Sequence, residues 1–125
     1  MSSSGYMAVE VVVAVVVLAV GVLGLAGTTA FIARQVSLGE VMTDRAVALQ
    51  TIVERIHAMP YDSIERGSDS IGAFSLTWSS APESPQSRMV SVITVGPGVE
   101  PSASGRGRTV GSAVADTFSF RVIRR

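Results

Sequence analysis

From Val11 to Ala33 the chain carries no charged residue, a run of 23 positions. As a helix this run is ~35 Å long at about 1.5 Å per residue, and the hydrocarbon core of a bilayer is about 30 Å thick. A cleaved secretory signal has a basic n-region, an apolar stretch of roughly 7–15 residues and a small-residue cleavage site behind it. Here the run is too long, and the preceding MSSSG has no basic residue. The run therefore reads as a single membrane anchor that the protein keeps. One residue disturbs its N-terminal edge: Glu10 stands inside GYMAVEVVVAVVVLAVGVLGLAG, residues 5–27.

The remaining chain is small. At 125 residues there is room for one small domain besides the anchor. Formal net charge is zero, so no bulk electrostatic attraction to nucleic acid or an anionic surface is expected. Cysteine is absent, which excludes disulfides, thiol catalysis and thiolate metal sites. No Ser/His/Asp grouping, phosphate loop or carboxylate pair suggests catalysis, and no cofactor is implied. His57 has neither a cysteine nor a second histidine near it and reads as a surface residue, with no metal site. The Arg pairs of SGRGR and the terminal RR read as a solvated loop and tail.

After Arg34 the pattern turns amphipathic. Leu38, Met42, Leu49, Ile52 and Ile56, with Val41 and Val53 beside them, follow helical spacing, and Glu40, Thr43, Asp44, Gln50, Glu54 and Arg55 fall largely opposite. Proline is absent before HAMPY, where Pro60 supplies a stop. The pattern predicts one continuous helix from about Tyr6 to about Ala58, ~80 Å long at about 1.5 Å per residue. Gly21, Gly24 and Gly27 recur every third position, each costing about 1 kcal/mol against alanine in a helix interior. Close packing of helices through small residues is the preferred reading of that recurrence, and a segment able to loosen is the second. Arg45 falls within the apolar stripe. Its stem is expected to pack while its head reaches solvent, and a salt bridge to a neighbouring subunit is the sharper alternative.

Beyond Pro60 the residues change to β and loop. AFSLTWS alternates, with Phe74, Leu76 and Trp78 on one face, and RMVSVITV repeats the pattern at Val90 and Val92. TFSFRVI places Phe118, Phe120 and Val122 together, and RTVGSAVA reads as a further short strand interrupted by Gly111. PYDSIERGSDS, PESPQS and GPGVEPSASGRG read as turns and loops. Three or four strands, antiparallel, need a cover, and the amphipathic half-helix is available. The expected fold is α+β: a long N-terminal helix, membrane-spanning in its first half and amphipathic in its second, on a small antiparallel sheet.

The N-terminal residues resemble those of type IV prepilins and type II secretion pseudopilins. That family has a short leader ending in glycine, an aromatic residue, three mostly apolar residues, a glutamate and a long apolar helix. Gly5, Tyr6 and Glu10 match it in register. RAVALQTIVERIHAMPYDSI looks like minor pilins of the PilV kind or the pseudopilin I type, so the resemblance covers about residues 5–62. The leader lacks the basic residues usual in the family, Tyr6 replaces the commoner phenylalanine, and the family's frequent helix proline is absent.

The resemblance implies a pilin-like division of the chain: leader 1–5, transmembrane half-helix 6–33, amphipathic half-helix 34–59 and a small β-rich region 60–125. It implies cleavage between Gly5 and Tyr6 by a prepilin peptidase and N-methylation of Tyr6. It implies pairing of Glu10 with the new amine of its own or a neighbouring subunit, which fixes axial register. Read without the family, Glu10 is an interfacial carboxylate near a helix N-terminus, where the helix dipole favours it. The partners implied are other pilins or pseudopilins, the inner-membrane assembly platform and the lipid bilayer, with the C-terminal region in the periplasm or outside. Two other readings stand beside the filament subunit: a TadE-like pilus protein, and a plain membrane-tethered binding module. An enzyme is the least supported.

Overall fold

The computed structural model describes residues 3–124; Met1 and Ser2, the start of the stretch read as a leader, and Arg125, the end of the stretch read as a basic tail, lie outside them. One helix, α1 (Ser3–Ala58), is followed by a single 3-10 turn (Tyr61–Ser63) and four strands. The strands are β1 (Arg66–Ile71), β2 (Phe74–Ser84), β3 (Ser87–Pro101) and β4 (Arg108–Ile123). The layout is α+β, as the pattern predicts. The chain divides into a first unit ending at Ser37 and a second beginning at Leu38.

In the first unit, α1 is exposed from Ser4 to Ser37, and it carries no charged residue on any side from Val11 to Ala33. It is long and apolar enough to cross a membrane. Valine restricts its own rotamers in a helix, so a valine-rich helix gains little from intrinsic propensity. Inside a bilayer such a helix would be favoured, because no solvent there satisfies a backbone group that the helix leaves free. Thr28 and Thr29 follow the same economy: their hydroxyls donate to the Gly24 and Leu25 carbonyls at 2.7 and 2.9 Å. A Cβ built on Gly5, Gly21, Gly24 or Gly27 meets nothing within 4 Å. A single chain therefore gives no steric reason for glycine at any of the four.

In the second unit, Leu38–Ala58 of α1 covers one face of a four-stranded antiparallel meander of order β1-β2-β3-β4. The core joins Ala48, Ile52 and Ile56 of the helix to Ile64, Phe74, Leu76, Trp78, Val90 and Val92. Ile52, Ile56, Leu76, Val90 and Val92 are fully buried, and each such aliphatic side chain stabilises the fold by about 1.5–3 kcal/mol. The helix stops at Ala58, two residues before Pro60, where the residue preceding a proline is steered out of the helical region.

Several expectations need correction. The helical stripe runs through Leu38, Val41, Arg45, Ala48, Ile52 and Ile56; Met42 is 55 % exposed and lies beside it. RGSDSI forms β1 within the stretch read as turns. Its composition carries no β signal, and it is held by its partner: Gly67 lies opposite Trp78, and a Cβ there would collide with the indole ring. The two loops read after β2 and around Gly96 are mostly strand. PESPQS shrinks to a two-residue connection at Pro85 and Gln86, between the paired Ser84 and Ser87. GPGVEP lies in β3, and the real loop is 102–107, where Gly105 and Gly107 take positive φ.

Proline is tolerated in these strands because each lies where its strand has one neighbour: Pro82 lies past the last β1 partner of β2, and Pro97 past the last β2 partner of β3. RTVGSAVA and TFSFRVI are one strand, β4. Its register against β3 shifts between Gly96↔Val114 and Gly98↔Gly111, where two β4 residues oppose the single Pro97. That is a bulge. Phe118 shares its face with Phe120 and Val122, as the alternation predicts, but it is 45 % exposed at the sheet edge.

Candidate functional site

Two groups of residues stand out, one in each unit. In the first unit Gly5, Tyr6 and Glu10 all lie within α1, and all three are exposed. Tyr6 and Glu10 are four positions apart, so they share a helix face. Side chains on a helix lean toward its N-terminus, which aims the Glu10 carboxylate back along the face that carries Tyr6. Glu10 is the eighth residue of α1, beyond its first turn, so the helix dipole, which falls off within that turn, does not account for the carboxylate. Glycine at position 5 serves neither packing nor a positive φ. The local geometry is thus a small residue, an exposed aromatic and a carboxylate one turn further on, at the head of an apolar span.

The second group centres on Arg45, which lies on the core-facing stripe of α1 with its side chain only 13 % exposed. Its Nε stands 2.9 Å from Asp116 Oδ2. Nη1 donates to the carbonyls of Gly96 at 3.3 Å and Pro97 at 3.1 Å, and Nη2 to those of Thr94 and Val114, both at 2.9 Å. A guanidinium has five N–H groups in a planar fork, and here five acceptors take them. Four are backbone oxygens, those of Gly96, Pro97 and Val114 at the register shift and that of Thr94 two residues before it. The expectation that the Arg45 head reaches solvent does not hold: its side chain is 13 % exposed, and its N–H groups are taken by Asp116 and four backbone carbonyls of its own chain. The opposite partner is open, since the Asp116 side chain is 68 % exposed.

No feature of the helical pattern singled out the acceptors of Arg45. The legible signal was Gly96-Pro97-Gly98 inside an otherwise alternating run, which marks a bulge as readily as a loop. A second pair, Arg55 with Asp69, ties α1 to β1. A Cβ on Gly111 would stand 2.6 Å from the Glu100 carboxylate, the end of an exposed, flexible side chain that can turn aside.

The remaining candidates fall into structural roles. Trp78 is core, as expected. His57 is exposed, its ring edge-on to Phe120 with centroids 5.2 Å apart. Among the described residues no group of three or more His, Cys, Asp or Glu side chains is placed to hold a metal. Arg124 of the terminal pair stacks on Tyr61 and bonds both Asp62 oxygens, at 3.1 and 2.9 Å. An open groove of about 680 Å³ is lined by His57, Met59, Tyr61, Arg121, Val122 and Ile123. Its one guanidinium, that of Arg121, is taken by Glu83 at 2.7 and 2.8 Å. Compared with known proteins, the chain matches no protein family, no curated protein and no solved structure.

Proposed function

We propose that the chain is a minor pilin or pseudopilin, a structural subunit that assembles through α1 into a type IV pilus or a type II secretion pseudopilus. The observation that carries the reading is the register of Gly5, Tyr6 and Glu10 at the head of one uninterrupted helix. Its support is that glycine at position 5 has no role in the fold, whereas a small residue suits a peptidase that must admit the backbone. A prepilin peptidase hydrolyses the Gly5–Tyr6 bond, and the new amine on Tyr6 is methylated. The first turn of the mature helix then begins at Tyr6, with its free N–H groups and positive dipole end facing the Glu10 carboxylate.

In a monomer the carboxylate lies near the bilayer surface and is hydrated. In a filament, packed apolar helices exclude water, and the attraction of an amine for a carboxylate strengthens as the local dielectric falls. A pair of this kind contributes specificity more than net stability, which is what axial register requires. The apolar span packs against other pilins or pseudopilins, supplied by the bilayer and raised by the inner-membrane assembly platform, while the second unit faces the periplasm or the outside.

Replacing Glu10 with alanine tests this role. The variant is expected to insert and be cleaved normally, and to fall at least tenfold in sheared filaments or in pull-downs of partner pilins. Incorporation equal to that of the unaltered chain contradicts it.

A further inference from the structure

We infer that the tip of the β3–β4 hairpin is a lipid contact, where Arg106 and Arg108 bind anionic headgroups at the surface of the bilayer that α1 enters. The inference rests on the reading of α1 as a membrane anchor and holds whether or not the chain joins a filament. The hairpin outruns the sheet. The last residue of β3 with a partner in β2 is Val95, paired with Ser75. Beyond it β3 and β4 pair only with each other, from Gly96↔Val114 to Pro101↔Arg108, as a two-stranded ribbon closed by the loop 102–107.

The loop is tight and made of small residues. The Ser102 N–H donates to the Gly107 carbonyl at 3.1 Å, and the Gly105 N–H to the Ser102 carbonyl at 2.8 Å. Serine, alanine and glycine fill the rest of it, so Arg106 and Arg108 carry the only long side chains at the tip. They are also the only charged residues from Pro101 to Ala115. Both are exposed, and neither belongs to an ion pair among the described residues. The carboxylate before them, Glu100, leans back along the ribbon toward Gly111. By contrast Arg45, Arg55, Arg121 and Arg124 each hold a carboxylate of their own chain.

Position selects the partner. Within the second unit Arg45 bonds the Val114 carbonyl, and the His57 ring meets that of Phe120. The helical interval between those contacts rises ~18 Å and the strand interval ~20 Å, so α1 and β4 run side by side in the same direction. Going back along each, Leu38 lies ~10 Å before Arg45 and Arg108 ~20 Å before Val114. The tip therefore projects past the Leu38 end of the unit, which is the end joined to the apolar run. The five residues from Ala33 to Leu38 reach at most ~18 Å in any conformation, so the tip stays close to the end of the span. Basic residues held there are drawn to anionic headgroups, and a guanidinium matches a phosphate through two parallel N–H bonds. The zero net charge of the chain does not oppose this, because the attraction acts within a Debye length, about 8 Å at physiological ionic strength. The other end of the hairpin, at Ser87, lies ~45 Å away and is out of its range.

The absence of cysteine makes the test direct. Ala103→Cys places a fluorophore at the tip, and Gln86→Cys places it at the opposite end of the sheet; both positions are exposed. The full chain is reconstituted into vesicles of phosphatidylcholine, alone or mixed with phosphatidylglycerol, each carrying a headgroup spin label as quencher. The tip label is expected to be quenched several-fold more in the anionic vesicles than in the neutral ones, and the Gln86 label weakly and equally in both. Molar salt, which shortens the Debye length to about 3 Å, removes the difference, and so does Arg106→Gln combined with Arg108→Gln. A tip label quenched no more than the Gln86 label in anionic vesicles overturns the inference, as does a difference that survives the double variant. Flotation of the same samples keeps the two readings apart. A chain that fails to float with neutral vesicles has no anchor, and both readings fall. A chain that floats with its tip unquenched keeps the anchor and loses the headgroup contact.

Discussion

Arg45 is the residue that holds the irregular corner of the second unit together. A bulge leaves backbone carbonyls pointing away from the ladder, and a planar five-donor fork is the side chain best shaped to gather them. Lysine has three donors and no plane, so Arg45→Lys leaves at least two acceptors unmet. The expected loss is about 2–3 kcal/mol, since hydrogen bonds to a charged group contribute about 1.5–3 kcal/mol each and are not additive. Denaturant unfolding of the full chain in detergent reads it, with fluorescence of the single, buried Trp78 as the probe. Unchanged stability contradicts the role. Gly67 makes a second residue-scale test. Gly67→Ala drives a methyl into the Trp78 ring, and overpacking of this kind costs about 1–3 kcal/mol, visible in the same unfolding curve. Both residues escape a reading of the chain in one dimension. Arginine in an apolar stripe looks like a snorkelling side chain until its acceptors, some 49–69 positions away, are brought to it.

At the scale of elements, the long helix and the buried alternation of β2 and β3 are legible because each rests on a period that the residues repeat. The α+β layout follows from those two periods. β1 is not legible, because RGSDSI has neither period nor β-branched content before its final isoleucine and becomes a strand through pairing alone. The bulged half of β3 is hidden by Gly and Pro, which mark loops and bulges alike. Gly5, Tyr6 and Glu10 lie on one uninterrupted helix, α1. The three glycines of α1 give a prediction at this scale. Since none packs against its own chain, small-residue contact with other helices makes Gly24→Ala tolerable and Gly24→Leu not. The leucine variant is expected to reach the membrane at normal levels and to fall several-fold in filaments. Equal incorporation of both variants argues for glycine as a loosening residue, or for no role.

The whole molecule separates its tasks between two units. The first offers an apolar helix with nothing of its own chain to bury it, which demands either lipid or other helices. The second closes a small core between half of that same helix and a four-stranded sheet, and a core this small gains from ion pairs that tie its elements together, Arg45 with Asp116 and Arg55 with Asp69. A tethered domain needs only the anchor. On the proposed filament reading the helix must begin at a defined residue, because the amine there is the partner proposed for Glu10. The most direct measurement is therefore the intact mass and N-terminal peptide of the protein isolated from cells with an active prepilin peptidase. The expected result is a chain that starts at N-methylated Tyr6. An intact Met1, or a chain that starts at Met7, contradicts the account.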